Sequence, residues 1–139
     1  MTGKAGPDFL TREIIDAIHE YQIETFGGIP GCRNEDALES AIAAPQNVHH
    51  YGGGDIYEMA AAYAYHLAES QAYFDGNKRT GVQACLIFLE GCGIDTSLLP
   101  GQQTYDMMIR IANHESDRKV LAGYLRSALG PTQTPDWPI

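Results

Sequence analysis

The sequence is short of cations, tryptophan and cysteine, and it contains no long apolar run. Nine Lys and Arg stand against eighteen Asp and Glu, a formal net charge of -9. Such a surface repels a phosphate backbone, so direct nucleic-acid binding and attachment to an anionic membrane are both disfavoured. The three cysteines, Cys32, Cys85 and Cys92, include no C-x-x-C pair. Cys85 and Cys92 lie seven positions apart on one expected helix, about 10 Å at 1.5 Å per residue, too far for a disulfide. An odd, unpaired set reads as reduced thiols in a cytoplasm, serving as small apolar filler. No stretch approaches the roughly 20 apolar residues of a membrane span. No apolar run follows a basic start, so no signal peptide is expected either. Alternating apolar and polar runs are nearly absent, which points to an all-α fold.

What is present suffices for a substantial core. The chain has 139 residues, 44% of them hydrophobic and 19% charged, the balance of a globular protein of one domain. That domain is expected over residues 1–130, with an irregular proline-bearing tail at 131–139. Thr11 reads as the N-cap of a helix to about Ile23, with Ile14, Ile15 and Ile18 turned inward. Gly27, Gly28, Pro30 and Gly31 end it. Asn34 caps a short helix through Ala44, which Pro45 should stop. Residues 46–54, with His49, His50 and three successive glycines, read as a mobile loop or a small hairpin. Asp55 caps a helix to about Gln71, whose Ile56, Met59, Ala60, Tyr63 and Leu67 form a 3.6-residue stripe. The stretch from Lys78 to Glu90 is apolar nearly all round, which marks a central buried helix at about 78–91. Thr104–Asn113 and Ser116–Leu129 are two further helical patterns, each opening on a capping residue.

The chemistry is concentrated in nine residues, Gln71-Ala72-Tyr73-Phe74-Asp75-Gly76-Asn77-Lys78-Arg79. They join two strongly helical stretches and open the second. A helix start offers unpaired backbone N–H groups and the positive end of the helix dipole, a ready site for an anion. Gly76 lets the backbone approach a ligand closely. Asn77 can cap the helix or donate to a phosphate oxygen. Lys78 and Arg79 supply cations, and Asp75 offers a hard oxygen to Mg2+. The combination suits a metal-bound polyphosphate.

This segment resembles the signature of the Fic/Doc family, His-x-Phe-x-Asp-Gly/Ala-Asn-Lys/Gly-Arg, in the form with Lys after Asn that marks the Doc (death-on-curing) toxins. Asp75, Gly76, Asn77, Lys78 and Arg79 match it. Tyr73 stands where Phe is usual, and Gln71 stands where the family has its catalytic His. Gly27-Gly28-Ile29-Pro30-Gly31, Ala37–Ala41, Tyr57–Tyr63 and Leu86–Gly91 also fall in family order, so the likeness runs over roughly residues 8 to 130. It implies a compact helical bundle around the helix at 78–91, with a substrate-docking flap near 46–54. It implies Mg2+ and ATP as cofactors, with Asp75 on the metal and Gly76, Asn77, Lys78 and Arg79 on the phosphates. It further implies transfer of a phosphoryl group, or of AMP, to a hydroxyl of a cytosolic protein. Elongation factor Tu is the target suggested by the Doc side, and an antitoxin in trans is the expected partner. No Ser/Thr-x-x-x-Glu-Gly/Asn segment, the family's internal inhibitory pattern, occurs in this sequence.

Gln71 divides the functional reading in two. A carboxamide has no useful basicity, and losing a general base costs about 10² to 10⁴ in rate. Phosphoryl transfer, however, depends mainly on positioning and charge neutralisation, and glutamine can orient a nucleophile without acting as a strong base. One reading is therefore an active Doc-like toxin in which Gln71, Lys78 and Arg79 carry the chemistry. The other is a catalytically silent nucleotide- or protein-binding module. His66 shares a helix face with Glu58, Ala62 and Glu69 and reads as a solvent-face residue. His49 and His50, in the expected flap, are better placed as substitutes but read as surface residues of a polar loop. None has metal-ligand spacing.

Overall fold

The computed structural model describes residues 7–112 and 117–130. Within them the chain forms α1 (Arg12–Phe26), α2 (Glu35–Gly52), α3 (Ile56–Ser70), α4 (Asn77–Gly91), a 3-10 turn (Thr96–Leu98), α5 (Gly101–Ala112) and α6 (Arg118–Leu129), and no strand. The fold is all-α. Side-chain caps set four of the starts: Thr11, Asn34, Asp55 and Asp117 each accept the backbone N–H three residues on. At Asp55 the cap is reciprocal, with Glu58 reaching back to the Asp55 N–H.

Pro45 does not stop α2. It lies inside an eighteen-residue helix and its ring is buried with Leu38, Ala41 and Ile42. One missing N–H is offset there by burial of the whole apolar face. The expected loop or hairpin at 46–54 is accordingly absent. Residues 46–52 continue α2, and the helix ends at Gly53 in the left-handed region. His49 and His50 thus sit on the last turn of α2, where His49 packs against the Phe9 ring with centroids 5.9 Å apart.

The most deeply buried helix is α3 rather than its neighbour α4. Ten of the fifteen α3 residues are buried against seven in α4, and α3 packs against α2, α4, α5 and α6. Every residue of its expected stripe is in the core, and so is Ala62, which removes the solvent face expected around His66. Close approach of α3 to α4 depends on small residues. A Cβ at Gly81 would stand 2.8 Å from the carbonyl oxygen of Ala64. On α4, Ile87 reaches solvent and Val82 and Leu86 are half-buried. On α1 the buried face is Ile15, Ile18, His19 and Gln22, and Ile14 points outward.

Two bonds tie α6 across the start of α3: Arg126 meets Asp55 at 2.7 Å, and the Tyr57 hydroxyl donates to Gly130 O at 2.8 Å. Burial pushes the Cys85 thiol up to about 12 and Cys92 up to about 11, so both are inert thiols at neutral pH. The described cysteines are unpaired. No helix among the described residues is long and apolar enough to cross a membrane. The tail expected at 131–139, and the boundaries expected at Asn113 and Ser116, lie outside the described residues. Asp117 is the cap of α6, and α5 starts at Gly101, before Thr104.

Candidate functional site

The turn between α3 and α4 is fastened on both sides by the segment that follows α1. Gln71 ends α3 in the left-handed region, φ 52°, the sole non-glycine positive φ among the described residues. Its carbonyl accepts from Arg33 Nη2 at 2.8 Å. The next carbonyl, Ala72 O, accepts from the N–H groups of Arg33 and Asn34 at 2.7 and 3.0 Å. Tyr73 pairs with Cys32 in an isolated antiparallel bridge. Its hydroxyl donates to Asp16 Oδ1 on α1 at 2.6 Å, and burial together with that bond raises the Tyr73 pKa. Phe74 N donates to Gly31 O at 3.2 Å and leaves the ring half exposed.

Asp75, expected on a metal, has Oδ2 occupied by the Ile29 N–H at 2.7 Å. This contact explains the glycine at position 28, where a Cβ would stand 3.0 Å from Asp75 Cβ. The Asp75 carbonyl receives His19 Nε2 at 2.8 Å. Gly76 adopts φ 81° and starts α4 with no side-chain cap and no acidic residue in the first turn. The end of α4 therefore presents its N–H groups without a competing carboxylate of its own. Asn77 is turned inward. Its Oδ1 accepts from Tyr73 N and its Nδ2 donates to Tyr73 O, both at 3.0 Å, so the carboxamide clamps the turn. Lys78 and Arg79 are exposed, and the Arg79 guanidinium rests over the Phe26 ring, 4.0 Å from its centroid.

Gln71 and residues 74–79 together line a cleft of about 280 Å³. All six expected site residues, Gln71, Asp75, Gly76, Asn77, Lys78 and Arg79, border it. The Gln71 side chain is folded back on its own helix, with Nε2 donating to Ala68 O at 3.2 Å. No histidine lines the cleft. His66 is half-buried elsewhere, within hydrogen-bond distance of Arg118 Nη1 at 3.0 Å. No group of three or more His, Cys, Asp or Glu capable of holding a metal occurs among the described residues. Among the described residues, Asp75 is the one carboxylate that lines the cleft.

Residues absent from the sequence reading turn out to build the site from behind. His19, Asp16 and Arg33 all bond to the motif turn. The one signal for His19 was its place on the α1 stripe 15, 18, 19, 22, which marks burial and not function.

The profile of the Fic/DOC family matches residues 9–89. The chain is 27% identical over 125 residues to the protein named Protein kinase doc of Escherichia phage P1, covering 89% of this chain and 98% of that one. It is 32% identical over 114 residues to Toxin Doc of Mycolicibacterium smegmatis, covering 78% and 86%. With the signature turn, the helical bundle and this profile in agreement, the chain belongs to the Fic/DOC family and is Doc-like within it.

Proposed function

We propose that this chain is a Doc-like toxin component that binds Mg-ATP, or another Mg-nucleotide, at residues 75–79 and transfers a phosphoryl group, or AMP, to a hydroxyl of a cytosolic protein. The observation that carries the reading is the uncapped start of α4, with Gly76 in the left-handed region and Asp75, Lys78 and Arg79 around one cleft. Backbone N–H groups at 76–78 would hold phosphate oxygens, and the two cations would neutralise them. The Asp75 carboxylate, already oriented by Ile29, would face the metal. Bound Mg2+ supplies further neutralisation of phosphate charge. Asn77 serves by rigidity, since its side chain is spent on Tyr73. Gln71 would hold the attacking hydroxyl by accepting its hydrogen bond at Oε1, while Nε2 stays on Ala68.

The names of both relatives, a kinase and a toxin, support transfer and toxicity. An antitoxin in trans follows from the same likeness, with no inhibitory segment of the family pattern in this sequence. Elongation factor Tu is the first target to try. A second reading has an observation of its own. The cleft contains no imidazole, which favours a nucleotide-binding module without turnover. Intact-mass measurement of candidate targets after incubation with Mg-ATP separates the readings. A gain of one phosphate supports the kinase, a gain of AMP the nucleotidyl transferase, and no gain with retained nucleotide binding the silent module.

A further inference from the structure

We infer that His19 on α1 is a positioning residue for the anion cradle: by holding the Asp75 carbonyl inward, it aims the N–H of Gly76 out into the cleft. This rests on the reading of residues 75–79 as a phosphate site. His19 is 3% exposed. Its Nε2 lies 2.8 Å from Asp75 O. A carbonyl oxygen can only accept, so Nε2 carries the proton and donates.

The ring is itself held. It stacks on Tyr73 with centroids 3.6 Å apart and planes within 6°. Tyr73 is tied to Asp16 Oδ1, and Asp16 Oδ2 takes Arg12 Nε at 2.9 Å. Arg12, Asp16 and His19 follow one another at helical spacing on α1, so a single element fixes both the donor and its stacking partner.

The described peptides are all trans, and in a trans peptide the C=O and N–H point in opposite directions. The Asp75 carbonyl points at His19, which lines a separate cleft of about 450 Å³ on the α1 side. The Gly76 N–H belongs to the same peptide and points the other way. Gly76 lines the 280 Å³ cleft, and His19 does not. Glycine tolerates either orientation of this peptide. Without the imidazole donor, the peptide can turn its carbonyl oxygen toward the anion and repel it. The ring also floors the glycine, since a Cβ at Gly76 would stand 3.4 Å from His19 Cδ2.

His19→Phe keeps a ring on Tyr73 and removes the donor, whereas His19→Gln keeps a donor N–H. Inorganic pyrophosphate is titrated into ¹⁵N-labelled wild type and both variants, with thermal midpoints recorded alongside. The expected result is about tenfold or greater weakening in His19→Phe. His19→Gln should stay close to wild type, whatever the order of the thermal midpoints. In wild type the Gly76 amide should be among the resonances that move furthest. Equal affinity in wild type and His19→Phe overturns the inference and leaves the phosphate site standing. A wild type that does not bind pyrophosphate overturns the site reading itself. Should His19→Phe fail to fold, the wild-type titration still decides: a Gly76 amide unmoved at saturating pyrophosphate overturns the inference.

Discussion

Gln71 borders the candidate cleft, and its side chain is turned back to Ala68. If transfer relies on positioning, Gln71→Ala should lower it and Gln71→His should preserve or raise it. If only the base is missing, Gln71→His should create transfer from a zero baseline. Label transfer from γ- and α-labelled ATP by the three proteins checks this, and equal activity in all three removes Gln71 from the chemistry. Asn77 shows the limit of reading roles from residue types. A polar residue at a helix start suggests a cap or a phosphate donor, but both ends of its carboxamide close on the Tyr73 backbone. His66 was read as a solvent-face residue, yet burial, then the nearby Arg118 charge, lower its pKa below the usual 6.5, with Glu69 opposing. A depressed histidine binds protons more weakly folded than unfolded, so its contribution is complete above about pH 6.5 and is lost as pH falls through the folded value. The urea midpoint should therefore drop between pH 7.5 and 5.5 by less in His66→Gln than in wild type; an identical drop contradicts the assignment.

At the scale of elements, the caps at Thr11, Asn34 and Asp55 were legible because each is a local device: a Thr, Asn or Asp and the N–H three residues on. The α3 stripe was legible from its period. Pro45 was misleading because the penalty for proline in a helix is set against tertiary burial, and the latter has no local sign. The same blindness hid the rank order of α3 and α4. The unbroken apolar run Ala84–Leu89 made α4 look the more central, but the small side chains of alanine-rich α3 let four helices close on it. The α3–α4 crossing should be intolerant of added volume. Gly81→Ala would push a methyl to 2.8 Å from Ala64 O, against backbone that cannot swing aside, and should cost about 1–3 kcal/mol despite alanine's better helix propensity. Chemical denaturation measures this, and a neutral or stabilised variant would show that the crossing is looser than described.

For the whole molecule, a net charge of -9 makes the placement of its few cations informative. Arg12 lies among Asp16, Glu35 and Glu39, and Arg126 between Asp55 and Glu58, so both are spent on structure. Arg79 is held instead by an aromatic face, 4.0 Å from the Phe26 centroid. That contact keeps the guanidinium at the cleft without neutralising it. The candidate cleft was legible as a nine-residue segment because one turn supplies all its lining. Its support from α1 was not, since His19 and Asp75 are 56 positions apart. Whether the start of α4 binds a phosphate-bearing nucleotide is decided by calorimetric titration of Mg-ATP into wild type and Arg79→Ala. Wild type should bind, and Arg79→Ala, still folded, should bind more weakly by about 1.5–3 kcal/mol; absence of any binding of ATP, ADP or other nucleotides to folded wild type would contradict the proposal.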